Sequence, residues 1–248
     1  MNIISKINNT RKTLKQILAS EWDVSSVPDL SDDEVNKMFS VPAAGLHSLG
    51  STTGCNFTLK HSMLPSHQLH IIYMNFPELG KNSSKITKSA CNKIHNLYKN
   101  SEVQETDNIF IIINENISES LEKNFQDLNT NLQNELENMD LSENLLQEMI
   151  ESEYPLQKKH FRNVRVFNVD TFTNNLFEHR LVPKYVVFRS QEKIQEILDN
   201  HNCKLHQLPI ILKNDIISKM LQTCSGDVCE ITRKSVKTGE YKFYRVCK

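Results

Sequence analysis

Five consecutive apolar residues, Ile109-Phe110-Ile111-Ile112-Ile113, limit the folds open to this chain more than any other feature. A strand with one wet face alternates apolar and polar side chains. An unbroken β-branched and aromatic run instead fits a strand covered on both faces. A second apolar run precedes it at 69–76, centred on Ile71, Ile72, Tyr73 and Met74, and a third follows at 164–169. Helical patterns separate them. Ser83 and Ser84 cap one helix whose Ile86, Ala90, Ile94, Leu97 and Tyr98 share a face, and Ser118 caps another through Leu121, Phe125 and Leu128. Strand, helix, strand, helix, strand predicts an α/β (α+β) layer with partly parallel pairing.

The flanks follow the same rules. Residues 3–18 place Ile3, Ile4, Ile7, Leu14, Ile17 and Leu18 on one helical face. Ser31-Asp32-Asp33-Glu34 reads as a capping box opening a short helix to Phe39. Residues 41–61, with Pro42, Gly45, Gly50 and Gly54, read as a long loop. From Asn114 to Gln157 there are 11 acidic residues against the single Lys123. Within this stretch 129–157 reads as an acidic helical insertion, with stripes from Leu132, Leu136 and Met139, then Leu145, Leu146, Met149 and Ile150 after a Ser142 cap. It is expected to be exposed and dispensable. Asp170 caps a last short helix to Phe177, which closes a first domain at 1–177.

The charge then changes sign. Residues 178–248 hold 13 Lys+Arg against 8 Asp+Glu, a balance of +5, while 1–177 hold the remaining 16 against 22, a balance of −6. A second domain, 178–248, is predicted there. It has a strand at 181–188, a helix capped by Ser190 with Ile194, Ile197 and Leu198 inward, and a short apolar helix of Leu208, Ile211 and Leu212 around Pro209. Two strands at 228–234 and 241–247 follow, joined by a turn in which Gly239 fits a left-handed position.

Several function classes are excluded. A free nucleic-acid binder carries a broad basic excess, whereas the whole chain sums to −1. No apolar run approaches the roughly 20 residues of a membrane span, and the polar-interrupted N-terminus reads as no leader. Six scattered cysteines point to a reduced, intracellular setting. Cys224, Cys229 and Cys247, with His201 and His206 upstream, lack the paired tight spacing of a zinc site and are expected to be inert thiols. Catalytic motifs of the nucleophile-elbow, zinc-helix, phosphate-loop and dinucleotide types are missing, and six glycines leave little for a phosphate cradle. No cofactor and no metal are expected.

Three blocks in the last 71 residues carry a family resemblance: His179-Arg180-Leu181-Val182-Pro183-Lys184, Gln207-Leu208-Pro209, and Gly226-Asp227-Val228 continuing through Ile231-Thr232-Arg233-Lys234-Ser235 and Thr238-Gly239-Glu240-Tyr241 to Tyr244-Arg245-Val246-Cys247. In this order and spacing they resemble the fifth-largest subunit shared by the eukaryotic nuclear RNA polymerases, together with its archaeal counterpart. The resemblance implies a non-catalytic subunit. Its C-terminal domain would dock on the largest subunit near the sixth-subunit-like small subunit, and its N-terminal domain would form a jaw beside downstream double-stranded DNA. No membrane is involved. The resemblance carries over His179, Leu181, Val182, Pro183, Lys184, Gln207, Leu208, Pro209, Gly226, Asp227, Arg233, Ser235, Gly239, Tyr244 and Arg245.

Residue chemistry then sorts these positions. Leu181, Val182 and Leu208 are expected in the core. Arg233, Ser235, Tyr244 and Arg245 are expected on one polar-aromatic interface surface of the hairpin, with His179, Pro183 and Lys184 beside it. A glycine usual in the family near Leu221-Gln222 is absent, and the divergence fits a large DNA virus or a divergent protist. Localisation would be nuclear in a cell, or virion and host cytoplasm for a virus. Two rival readings stand: a nuclease using the N-terminal fold, which Asp107 serves poorly because its strand ends in Asn114 with no Glu-x-Lys, or a factor binding a host polymerase.

Overall fold

A computed structural model of the chain describes residues 2–39, 53–76, 85–152, 154–235 and 239–248. The chain divides into two compact units, Met1–Ser152 with Phe161–Asn175, and Glu153–His160 with Leu176–Lys248. The second unit also takes in 153–160, of which the sequence pattern assigns 153–157 to the acidic insertion and all to the first domain.

The first unit is built on a five-stranded sheet in the order β1 (Trp22–Asp23), β2 (Phe57–His61), β3 (Gln68–Met74), β4 (Asn108–Ile113) and β5 (Val164–Asn168). β1, β2 and β3 pair antiparallel, whereas β3, β4 and β5 are parallel. Every residue of β4 is buried, as its unbroken apolar run requires. On one face Ile109, Ile111 and Ile113 pack with Ile72, Met74, Val164 and Val166 against α3 (Lys88–Lys99) and α4 (Glu119–Glu137). On the other face Phe110, Phe167 and Phe172 stack in a row, with ring centroids 4.9 and 5.0 Å apart. There α1 (Ile3–Leu18) buries Ile7 and Leu14, its Thr10 hydroxyl reaches the Val169 carbonyl, and its Arg11 guanidinium lies 4.7 Å from the Phe57 ring.

Local signals explain most element ends. Ser31 and Glu34 close the capping box of α2 (Asp32–Phe39): Glu34 accepts from the Ser31 N–H at 2.8 Å, and the Ser31 hydroxyl accepts from the Glu34 N–H at 3.4 Å. The Ser118 hydroxyl accepts the Leu121 N–H at the start of α4, and Ser142 does the same for Leu145 in α5 (Glu143–Ser152). For α3 the N-cap position is Thr87; Ser83 and Ser84 lie outside the described residues.

Three expectations about the first domain are corrected. Part of the predicted loop 41–61 is the strand β2, whose Leu59 and His61 face inward while Lys60 faces out; residues 41–52 lie outside the described residues. The 129–157 stretch is not a free-standing exposed insertion. α4 runs unbroken through Leu132 and Leu136, exposed 0% and 1%, and Asn129 brackets Val164 by accepting its N–H and donating to its carbonyl. α5 is different, for only Leu145 is buried while Leu146 and Ile150 are exposed. Finally, 169–178 forms two 3-10 turns, the first capped by Asn168 rather than Asp170, instead of one α-helix.

In the second unit β6 (Lys184–Phe188), β8 (Val228–Ser235), β9 (Gly239–Cys247) and β7 (Ile210–Ile211) form a four-stranded sheet in that order. β6, β8 and β9 pair antiparallel and β7 joins β9 parallel. The helix expected around Pro209 is in fact the short strand β7, flanked by a 3-10 turn at Leu205–Gln207 and by α7 (Ile216–Met220), with Leu212 exposed. The helix after Ser190 is α6 (Gln191–Asn200), capped as expected by the Ser190 hydroxyl on the Lys193 N–H.

Candidate subunit interface

Side chains alternate across a strand, so register assigns every residue of the C-terminal sheet to a face. Phe188, Val228 and Tyr244 meet Ile194 and Leu198 of α6 on one face, joined by Cys203, Leu205 and Leu208. On this face the Tyr244 hydroxyl donates to Glu230 at 2.9 Å, and Lys242 bonds the same carboxylate. Burial, the Glu230 bond and the Glu230 charge together push the Tyr244 hydroxyl up to about 12. Its ring meets that of His201 edge-on at 4.8 Å.

The opposite face has two ends. At one, Cys229, Cys247 and Ile211 are buried with Tyr185 and Val187. Burial raises the Cys229 thiol to about 12, which keeps it protonated and inert. Toward the other end Ile231 pairs with Phe243 and Arg233 with Tyr241, while Arg245, opposite Cys229, stands at the border of the buried end. The Arg233 and Arg245 guanidiniums sit 5.5 and 5.3 Å from the Phe243 ring centroid, one from each side along the strand pair. Arg245 also donates to the Ile210 carbonyl, which aims it along the sheet.

This arrangement divides the predicted surface. Arg233 and Arg245 share a face, but Tyr244 points to the other, under α6. Ser235 pairs with Gly239 through the backbone, and its side chain lies outside the described residues. Sequence reasoning missed Phe243, Tyr241 and Tyr185, although the same alternation that splits Tyr244 from Arg245 would have placed them beside the arginines.

The remaining motif residues mostly shape turns. His179 is exposed and organises the approach to β6: its carbonyl accepts the Val182 N–H at 2.8 Å and its Nδ1 accepts the Leu181 N–H at 3.3 Å. Leu181, expected in the core, is 76% exposed on that turn, while Val182, Pro183 and Leu208 are partly buried. The strand begins only at Lys184, after the turn and Pro183. Gln207 closes its 3-10 turn by accepting the Lys204 N–H at 2.7 Å, and the Pro209 carbonyl accepts the Val246 N–H. Gly239 has φ +71° with open space around a would-be Cβ, so its need for glycine is conformational. Gln222, in the Leu221-Gln222 stretch near which a glycine is expected, also sits at positive φ, +54°.

Asp227 anchors a network that spacing did not reveal. It is fully buried and accepts from the Cys224 N–H at 2.8 Å, from Lys159 Nζ at 2.8 Å and from His160 Nε2 at 3.1 Å. His160, Cys224 and Asp227 bring a nitrogen, a sulfur and a carboxylate oxygen within 4.8 Å. The bonding argues against a metal there. The Gln157 backbone N–H donates to His160 Nδ1 at 2.9 Å, so Nδ1 is the acceptor and Nε2 carries the proton it gives to Asp227. A metal on Nε2 would need the other tautomer and would face the Lys159 ammonium. Burial, with the charges of Arg189 and Lys159, holds His160 below its ordinary value despite the pull of Asp227. Burial alone would raise Asp227, but the bond and charge of His160, with Lys159 and the Cys224 N–H, leave it lowered.

The carboxylate that a nuclease would need is similarly committed. Asp107, 1% exposed, accepts from the Gln68 and Gln104 N–H groups and bonds His70 at 2.9 Å. It ties the start of β4 to β3.

Residues 174–247 match the family described as RNA polymerase Rpb5, C-terminal domain. The chain is 39% identical over 72 residues to DNA-directed RNA polymerase subunit Rpo5 of Methanosphaera stadtmanae, covering 29% of this chain and 92% of the relative. The Rpo5 of Archaeoglobus fulgidus is 42% identical over 71 residues, covering 29% and 92%. Subunit rpabc1 of DNA-directed RNA polymerases I, II and III of Dictyostelium discoideum is 36% identical over 81 residues, covering 33% of this chain and 41% of the relative. With most of the archaeal relatives' length matched by its motif-bearing region, the chain belongs to the Rpo5/Rpb5 family of non-catalytic subunits of DNA-directed RNA polymerase.

Proposed function

We propose that this subunit enters its polymerase through the sheet face on which Arg233 and Arg245 bracket Phe243, and that the partner met there is the largest subunit. The carrying observation is that bracket: two guanidiniums and an aromatic ring on one rigid face, beyond the end buried with Ile211. Arg and Tyr dominate interface hot spots, and strand pairing fixes their spacing before binding, which lowers the entropy cost of docking. His179, Pro183 and Lys184 border the same unit, and the sixth-subunit-like small subunit is the second neighbour. The N-terminal unit forms the jaw. The balance of −6 over residues 1–177 disfavours DNA binding by the free chain there, so downstream DNA is met only within the complex. The polymerase's own site of action sets where the subunit works.

Arg233→Glu with Arg245→Glu tests this directly. Desolvated arginines reversed in sign leave partner carboxylates unmatched, so recovery with the largest subunit should fall by roughly thirtyfold, about 2 kcal/mol or more. Tyr244→Phe, on the opposite face, should assemble normally. Equal recovery of both variants would move the interface elsewhere.

A further inference from the structure

The second unit is completed by residues from the middle of the chain. After Ser152 the chain passes into this unit and returns to the first at Phe161. Residues 154–160 fasten there at several points. Leu156 is buried, a 3-10 turn forms over Lys158–His160, Lys159 Nζ bonds both Asp227 and the Ser225 carbonyl at 2.8 Å, and Cys224 Sγ donates to the Lys159 carbonyl at 3.1 Å. His160 meets both oxygens of Asp227 at 3.1 Å. Everything converges on the tight turn 222–227, whose Gln222 and Gly226 both have positive φ.

From that turn the bonding continues into the sheet. The Cys247 N–H donates to the Asp227 carbonyl at 2.8 Å, and the Gly226 N–H donates to the Cys247 carbonyl at 3.0 Å. Cys247 pairs with Ile211 on β7, and Arg245 bonds the neighbouring Ile210 carbonyl. Hydrogen bonds from Lys159 and His160 through Asp227 to Cys247, and then the pairing of β9 with β7, therefore lead to one of the two interface arginines. The Methanosphaera relative is matched over 92% of its length by 72 residues, which leaves little length for a counterpart of this segment.

We propose that residues 154–160 are a brace that this chain adds to the shared assembly module, that Asp227 is its receptor, and that its docking sets the end of β9 carrying Arg245. The second half of the claim rests on the reading of the arginine face as the interface. A buried carboxylate shaped to receive an ammonium and an imidazole is poorly satisfied without them, so the 222–227 turn should open when they are lost.

The test is amide hydrogen exchange on the full chain. In Lys159→Met/His160→Phe, peptides covering 224–229 and 245–248 should exchange about tenfold faster or more, while those covering 109–113 stay protected. If the double variant does not fold, Lys159→Met alone should show the same pattern at smaller size, and Lys159→Arg should restore protection. Unchanged exchange at 224–229 would overturn the brace. Protection of those amides by equimolar zinc in the native chain, lost in Cys224→Ser, would overturn it in favour of a metal site. Arg245→Glu separates the two readings. If it leaves assembly intact, the interface reading fails, while the exchange result still decides whether the brace exists.

Discussion

The two units hold themselves together differently. In the first, a strand buried on both faces collects a broad apolar layer, and α3 and α4 seal one side of it with Ile94, Leu97, Leu128 and Leu132. Polar groups there, such as Asp107 and Asn129, serve strand ends. In the second, described apolar clusters are small, Ile194, Leu198 and Val228 on one face and Ile211, Cys229 and Cys247 on the other. Their place is taken by buried charges: Asp227 with Lys159 and His160, and Glu230 with Lys242 and Tyr244. A thin core needs polar brackets to fix its turns, and such brackets respond to pH and charge, whereas a thick core responds to lost volume. The unit that carries the family motifs is the thin one, and those motifs fall largely on turns and sheet edges.

Cavity creation should give the largest effect and falls on the first unit. Leu132 is fully buried between α4 and the sheet, so Leu132→Ala should cost about 2–5 kcal/mol, read by chemical denaturation. Deleting 130–154 should leave the first unit unfolded. A folded, cooperative deletion variant would restore the view of this stretch as a dispensable insertion and erase half of the contrast. Ile150→Ala on α5, by comparison, should change stability by no more than about 0.5 kcal/mol because the side chain is 78% exposed.

Acid should act next, on the second unit. His160 and Asp227 both titrate below their ordinary values of 6.5 and 3.8. A group whose pKa is depressed by folding stabilises the fold fully above its unfolded value, and that contribution is lost as pH falls through the folded value. Protection at 224–229, measured relative to the intrinsic exchange rate at each pH, should therefore fall from pH 7 toward pH 5, and His160→Gln should flatten that dependence. Equal pH slopes in the native chain and in His160→Gln would remove the polar bracket from the comparison.

How much of this was legible follows from the range of the interactions. β3, β4, β5 and the caps at Ser31, Ser118, Ser142 and Ser190 rest on signals within a few residues, and all were readable. β2 was hidden because Pro42, Gly45, Gly50 and Gly54 made the whole of 41–61 read as loop and masked the short alternation of Phe57 to His61. α4's second half misled because its acidic side is conspicuous, while burial of Leu132 depends on β5, which begins only at Val164. His160 and Asp227 are separated by 67 residues, and no spacing rule joins them. Tyr244 and Arg245 are a different case. Their opposition was legible from the period of a strand, and only the assumption of a single surface concealed it.

The smallest expected effect tests how tightly the thin unit holds its turn. Gln222 occupies left-handed backbone at φ +54°, a conformation that costs a side-chain-bearing residue about 1 kcal/mol, and it is 7% exposed beside the brace. Gln222→Gly would remove that strain but add freedom to the unfolded chain, a loss of about 0.4–1 kcal/mol. The two nearly cancel, so the change in thermal midpoint should be within about 3 °C. The brace decides the sign in the turn's dynamics. If Lys159 and His160 hold 222–227 in place, exchange there should barely change in Gln222→Gly, yet it should quicken further when that substitution is added to Lys159→Met. Additive, independent effects would mean that turn and brace are uncoupled, and that the second unit owes its order to its small apolar clusters after all.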